Sequence, residues 1–224
     1  MPTSCRIDLT IEIRNGDGSK LKKPTTEAPN IVGFLNGLAY TLFKSVQIKL
    51  GNEIVSNSYP NYHLGSYLTL LTSFDDDSRG SRLPIGGFYT DNDPSDVTSK
   101  TFGFHKRMLH TNESQRYRVQ GNIIDSIFLQ ERFILPFLNL GLKFDLNSPE
   151  IVLQTNQQGK PFKYKLIDMK FRTRHVKLAS SIKLQIERSL ATKSAKYHFR
   201  SPLVRCWSIP KVCEYTVAIV RDSN

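Results

Sequence analysis

Residues 30–71, NIVGFLNGLAYTLFKSVQIKLGNEIVSNSYPNYHLGSYLTLL, decide how the chain is read. Ile31, Phe34, Leu35, Leu38, Ala39 and Leu42 recur at helical spacing, which predicts one apolar helical face. Residues 45–50 alternate, with Val46, Ile48 and Leu50 on one side and Gln47 and Lys49 on the other, and so predict a half-buried strand. Gly51 and Asn52 turn the chain into a short return strand at 53–56. Pro60 suits the first turn of a second helix, with Leu64, Tyr67, Leu68 and Leu71 as its apolar stripe. A strand pair clamped between two apolar helical segments, without a nucleophile, metal cluster or phosphate loop, is built to be packed against.

Outward from this unit, residues 5–14 alternate strongly. Ile7, Leu9, Ile11 and Ile13 point one way and Arg6, Asp8, Thr10, Glu12 and Arg14 the other, which predicts a strand with a solvated polar face. Asn15-Gly16-Asp17-Gly18 is a tight turn and lacks the ligand spacing and closing Glu of a calcium loop. Residues 74–100 are polar and turn-rich, with Asp75, Asp76, Asp77, Asp91, Asp93 and Asp96. They predict a long surface loop, since no rigid element fixes these carboxylates as metal ligands. His105 and His110 have no carboxylate or nucleophile nearby in sequence and read as surface histidines.

The second half returns to alternation at 117–121 and 142–146, with Pro136 breaking the run between them and a short buried strand at 151–153. Residues 162–178 are strand-like, but the alternation changes phase near Ile167 and again near His175, which predicts bulges. Ser180 or Ser181 caps a helix with Ile182, Ile186 and Leu190 as its stripe. Residues 196–209, holding the lone Trp207, and 215–221 read as further strands. About eight to ten strands, few helices and no strand–helix–strand periodicity predict a mainly β protein, an antiparallel jelly-roll sandwich with a few short helices in the connections. Its expected core includes Phe34, Leu38, Leu42, Val46, Ile48, Leu68, Phe128, Phe133 and Phe144.

Composition narrows the function. The 224 residues bury a sizeable core. No apolar run approaches the roughly 20 residues of a membrane helix, and the first ten residues have no secretory apolar core, so an intracellular protein is expected. Cys5, Cys206 and Cys213 are too few for a disulfide framework, and their spacing is not that of a zinc knuckle. Phosphate-loop, nucleophile-elbow and zinc-protease patterns are absent, so no catalytic, cofactor or metal-binding residue is nominated. The net charge of +11 is uneven. Residues 160–211 hold fourteen Lys and Arg against two acids, while the rest holds seventeen against eighteen. That surplus of twelve suits an anionic partner such as nucleic acid, or else a solvated basic face.

Several stretches resemble, in the same order, the major capsid proteins of Polinton/Maverick elements and adintoviruses. They are FLNGLAYTLFKSVQIKLGNEIVSNSYPNYHLGSYLTLL, then Val119-Gln120-Gly121 with IDSIFLQER at 124–132, residues 139–144, KYKLIDMKFRTRHVKL at 163–178, and Ala195-Lys196-Tyr197 followed by WSIP at 207–210. That resemblance implies a double jelly roll, three subunits per capsomer and no catalytic residues. On it, 1–178 corresponds to the first jelly roll without its N-terminal strand, and 179–224 to a connecting helix and a truncated start of the second.

The expected function is therefore a non-enzymatic structural subunit of the capsid of a virus or virus-like DNA transposon. Its partners would be itself, as a homotrimer, other capsid subunits and weakly held packaged DNA, with no cofactor, membrane or small-molecule substrate. The alternative is a nucleic-acid-binding β module using 160–211. Lys163, Lys165, Lys170, Arg172, Arg174 and Lys177 are the candidate anion or interface contacts. The phase changes are expected to split these side chains between faces. Some would then meet Asp75, Asp76 and Asp77, or residues 91–96, on a neighbouring subunit.

Overall fold

The computed structural model describes residues 5–23, 31–57, 61–91, 93, 102–130, 132–135, 138–157, 159–198 and 204. In chain order the elements are β1 (Arg6–Asn15), β2 (Val32–Phe34), α1 (Leu38–Thr41), β3 (Phe43–Leu50), β4 (Glu53–Asn57), α2 (Tyr62–Ser73), α3 (Asp76–Ser81), α4 (Phe102–Thr111), β5 (Tyr117–Asn122), α5 (Ser126–Leu129), β6 (Leu140–Leu146), α6 (Pro149–Val152), β7 (Leu153–Thr155), β8 (Phe162–Arg172) and α7 (Ser180–Thr192).

Two three-stranded sheets, ordered β5-β1-β8 and β4-β3-β6, and a small β2-β7 pair carry these strands, and every pairing is antiparallel. Ile7, Leu9, Ile11 and Ile13 of β1 face inward opposite Tyr117 and Val119 of β5 and Tyr164, Leu166, Met169 and Phe171 of β8. From the second sheet, Phe43, Val46 and Ile48 meet Leu142 and Phe144, with the Phe43 and Phe144 rings 4.9 Å apart. Both inner faces join one apolar cluster with Phe34, Leu38, Leu42 and Phe128. The expected class is realised: antiparallel sheets closing one core, with short helices in the connections.

The strand predicted at 45–50 and its return form β3 and β4, and the helix after Pro60 forms α2. The helical face predicted over 31–42 does not form. Residues 32–34 instead make a strand against β7, Gly37 turns the chain at φ 69°, and only Leu38–Thr41 is helical. Asn36-Gly37 is a turn signal that the helical spacing masked. Phe34, Leu38 and Leu42 are buried all the same.

Five further expectations are corrected. Residues 75–81 are not loop, because Asp75 caps α3 by accepting from the Ser78 amide at 2.9 Å. The buried strand predicted at 151–153 is α6 followed by β7. Leu68 and Phe133, expected in the core, are 55% and 53% exposed, while Phe144 is half-buried. Asp8 and Glu12, expected in solvent, are buried because β1 is the central strand and long cationic side chains from its surroundings reach over them. Residues 196–198 are described and are not strand, whereas Trp207, Cys206, Cys213 and the strand predicted at 215–221 lie outside the described residues.

Among the described residues the largest fully buried side chain is a cation, Arg107 of α4. Its Nε donates to the Phe34 carbonyl at 3.0 Å. Nη1 and Nη2 grip Asp91 in a fork at 3.2 and 3.0 Å, and Nη2 also reaches Gln154 Oε1 at 3.2 Å. One guanidinium thus ties α4 to β2, to β7 and to the chain before α4. Asp91 is therefore committed inside the fold and does not meet a neighbouring subunit's lysines; Asp96 lies outside the described residues. His110 is exposed as expected, but its ring stacks on Tyr117 at 4.9 Å and its Nε2 lies 3.1 Å from the Tyr89 hydroxyl.

Close approach makes Gly121 sensitive. A Cβ there would lie 2.7 Å from the Ala39 Cβ and 3.2 Å from the Tyr40 ring. Gly121→Ala is expected to lower stability by about 1–3 kcal/mol in urea unfolding; an unchanged midpoint would show that α1 does not sit against β5. Asp125 gives a pH test. Its buried carboxylate accepts from the Ser56 hydroxyl at 2.5 Å and the Ile127 amide at 3.0 Å. Burial nevertheless holds its pKa above the ordinary carboxylate value. The folded state then binds the proton more tightly than the unfolded chain. The stability from this group is full below the unfolded pKa and is lost as pH rises through the folded one. Asp125→Asn keeps an oxygen for the Ile127 amide and is expected to flatten that decline in urea melts from pH 4 to 7. Asp125→Ala loses the cap, at about 1 kcal/mol. Parallel pH profiles for wild type and Asp125→Asn would contradict the assignment.

Candidate nucleic-acid interface

β8 reads FKYKLIDMKFR and lies at the edge of its sheet. Its register against β1 shifts between Thr10 and Ile11, where Thr10 stands opposite Asp168 and Ile11 opposite Leu166. Ile167 is the extra residue, so the predicted bulge is present where the alternation changes phase. Its consequence is the reverse of the one expected. Before the bulge Tyr164 and Leu166 face inward, and after it Met169 and Phe171 do. The pattern slips by one residue where the backbone slips by one, and the two slips cancel. Lys163, Lys165, Lys170 and Arg172 therefore share the outer face instead of being split between two.

The neighbouring strands add to that face. β1 presents Arg6 and Arg14, and β5 presents Arg118, which stands opposite Thr10. The acids on the same face are Asp8, Glu12 and Asp168. Arg172 Nε donates to Asp8 Oδ2, and Arg14 Nε donates to Glu12 Oε1 at 2.6 Å. Lys170 pairs with Asp168 at 3.0 Å. Arg172 is thus partly committed to a buried carboxylate, although its side chain remains 51% exposed. Among the described residues, Arg6, Arg118, Lys163 and Lys165 form no ion pair. Arg174 and Lys177 follow the strand in the exposed 173–179 connection, outside the sheet.

Seven cations against three acids leave this face positive. At about 3.3 Å per residue, β8 spreads its cations over roughly 25–30 Å. That arrangement suits a linear polyanion held through phosphates, which carries no sequence information. The described part of the face shows no aromatic ladder for base stacking, so contact with the backbone of a duplex fits it better than single-strand capture. Sequence reasoning found the β8 lysines but missed Arg6, Arg14 and Arg118. Their alternation was visible, whereas the strand order that places them beside β8 was not.

Lys165→Glu with Lys170→Glu tests the face. Both side chains are exposed, so the fold is expected to change by no more than about 0.5 kcal/mol. Duplex binding of the wild-type chain is expected in the roughly 10⁻⁴–10⁻⁶ M range of non-specific binding. The double variant is expected to flatten the slope of log K against log salt by about 0.9 for each phosphate it no longer neutralises. An unchanged slope would show that phosphates do not sit on this face.

No described helix is long and apolar enough to cross a membrane. No family model matches the chain. It is similar to an uncharacterized protein of Caenorhabditis elegans, with 20% identity over 203 residues, a match covering 90% of this chain and 47% of that protein. The chain spans about half the length of the curated relative it matches.

Proposed function

We propose that the chain is a structural, non-enzymatic subunit: a jelly-roll module of a capsid protein like those of Polinton/Maverick elements and adintoviruses, which assembles with copies of itself. The observation that carries this reading is a closed sandwich-like core whose connecting helices keep apolar side chains outside. Leu64, Leu68 and Leu71 of α2 and Ile182 and Leu184 of α7 are all exposed while the core beneath is filled. Other exposed apolar side chains are spread over the surface, but those of α2 lie along one side of a single helix and offer a surface for association. The order of the stretches that resemble the capsid family supports the same reading. So does the relative's length, which leaves room in that protein for a second unit of similar size. In a double jelly roll such units sit side by side, and three subunits form a trimer.

A second reading, a nucleic-acid-binding module, is favoured by the convergence of cations on the β5-β1-β8 face. The two are compatible if this face is turned toward packaged nucleic acid. Salt dependence separates them. Association of a tile through apolar helices persists at about 0.5 M salt, whereas phosphate binding weakens steeply. In sedimentation velocity the purified chain is expected to associate in a concentration-dependent way at both low and high salt. A strictly monomeric chain that binds duplex DNA tightly would replace the capsid reading with the second one.

A further inference from the structure

We infer that α7 of one copy docks on the outer leucine stripe of α2 in a second copy; this rests on the self-assembling reading above and names its contact. α2 turns Tyr62, Ser66 and Leu70 toward the core. Leu64, Leu68 and Leu71, spaced four and three residues apart, lie on the opposite side and are 36%, 55% and 38% exposed. A three-leucine stripe on the solvent side of a helix is half of a helix–helix contact.

α7 supplies the matching half. No residue of it is buried, and Ile182, Ile186 and Leu190 form a stripe four residues apart, Ile182 exposed and Ile186 and Leu190 half-buried. Its helix lies within an excursion held at both ends. The chain leaves the sheet at Arg172 and is held again at Lys196, whose carbonyl accepts from Arg132 Nη1, in the α5–β6 connection, at 2.6 Å. Tyr197 Oη then accepts from the Leu135 amide and donates to the Phe133 carbonyl, each at 3.1 Å. Between these anchors the described polar interactions are internal, such as Lys183 with Glu187 and Thr192 with the Ser189 carbonyl. Among the described residues the α2 leucines stay exposed and no residue of α7 is buried, so the two stripes do not bury each other within one copy.

Charge selects α2 as the seat. α7 carries Lys183 and Arg188 against one acid, Glu187, and Lys193 follows it. α2 carries no Lys, Arg, Asp or Glu, and its C-terminus runs into exposed Asp75, Asp76 and Asp77; Asp75 caps α3 and Asp76 pairs with Arg79 at 2.9 Å, so Asp77 is the carboxylate of the three with no described side-chain pair. A basic amphipathic helix laid along a neutral leucine stripe that ends near Asp77 is complementary in apolarity and, at that one carboxylate, in charge. Since α7 and α2 are different surfaces, the contact is heterologous, and it closes into a ring when the rotation between copies allows. One further occupant touches the flank of α2. The Val204 carbonyl accepts from Asn61 Nδ2 at 2.9 Å, and the Val204 side chain stands where a Gly65 Cβ would meet it at 3.1 Å. The chain's own segment around Val204 is thus the competitor for the stripe.

The test is concentration-dependent sedimentation of the full chain and its variants, with thermal melting as the control for folding. Leu68→Asp and, separately, Ile186→Asp are each expected to weaken association at least tenfold without lowering the melting temperature of the monomer. Because an aspartate on either helix could disturb it locally, charge exchange gives an independent readout. Asp77→Lys and Arg188→Glu are each expected to weaken association, and the two together to restore it. If wild type associates and all four variants associate equally, the docking inference fails while self-assembly stands. If the wild-type chain stays monomeric throughout, both fail together. If Leu68→Asp lowers the melting temperature of a monomer and leaves association unchanged, the chain's own C-terminal segment occupies the stripe, and the inference is overturned.

Discussion

Strand β1 is buried on both faces, and the rest of the structure follows from how each face is satisfied. The inner face is apolar and joins the common core through Ile7, Leu9, Ile11 and Ile13. The outer face buries two carboxylates, Asp8 and Glu12, at 3% and 4% exposure. A carboxylate taken from water needs a cation or hydrogen-bond donors beside it. Arg172 and Arg14 meet that need, one from the neighbouring strand and one from β1 itself. The cationic character of this sheet is therefore partly structural. What exceeds the requirement, chiefly Arg6, Arg118, Lys163 and Lys165, is the part that an outside anion can use. Counting charges along the sequence cannot make that division, because it depends on which cations lie over the two acids.

The bulge at Ile167 shows how a correct local reading leads to a wrong global one. The phase change was visible in the order of side chains, and a bulge was its proper explanation. The further step, that a phase change scatters the lysines, assumed a strand of regular pleat. With one extra residue in the backbone, the shifted pattern is what keeps Tyr164, Leu166, Met169 and Phe171 on one side. A continuous inner face carries the basic residues along on the other. Pattern and backbone have to be slipped together before faces are assigned.

The central segment failed in a different way. Helical spacing at 31–42 competed with two glycines, and the glycines prevailed, because Gly33 packs where a Cβ would sit 3.1 Å from the Phe104 ring and Gly37 turns in the left-handed region. In α2 the helix itself was legible from its apolar period and its proline entry, but the buried face was assigned to the wrong side. The side against the core is lined by Tyr62, Ser66 and Leu70, less apolar than the leucine side it displaced. An amphipathic pattern tells that a helix has an apolar side, and only the fold tells whether that side meets the chain's own core or something else. The Arg107–Asp91 pair had no signal at all. The partners of Arg107 are 16, 47 and 73 residues away, and charged residues in a turn-rich context read as surface.

The misassigned leucines and the extra cations have one physical meaning in common. A chain folding for itself alone gains most by turning its most apolar helix side inward and by balancing its surface charge. Here the sandwich closes without Leu64, Leu68 and Leu71, and one sheet face keeps more cations than its buried acids need. Both departures leave a cost on the isolated chain, in apolar surface exposed to water and in repulsion between like charges. Both are relieved by contact, the first with an apolar helix and the second with a polyanion. A capsid subunit meets the two kinds of partner together, since its neighbours are other subunits and its shell encloses nucleic acid. The combination, more than either surface alone, is what supports the proposed assembly role.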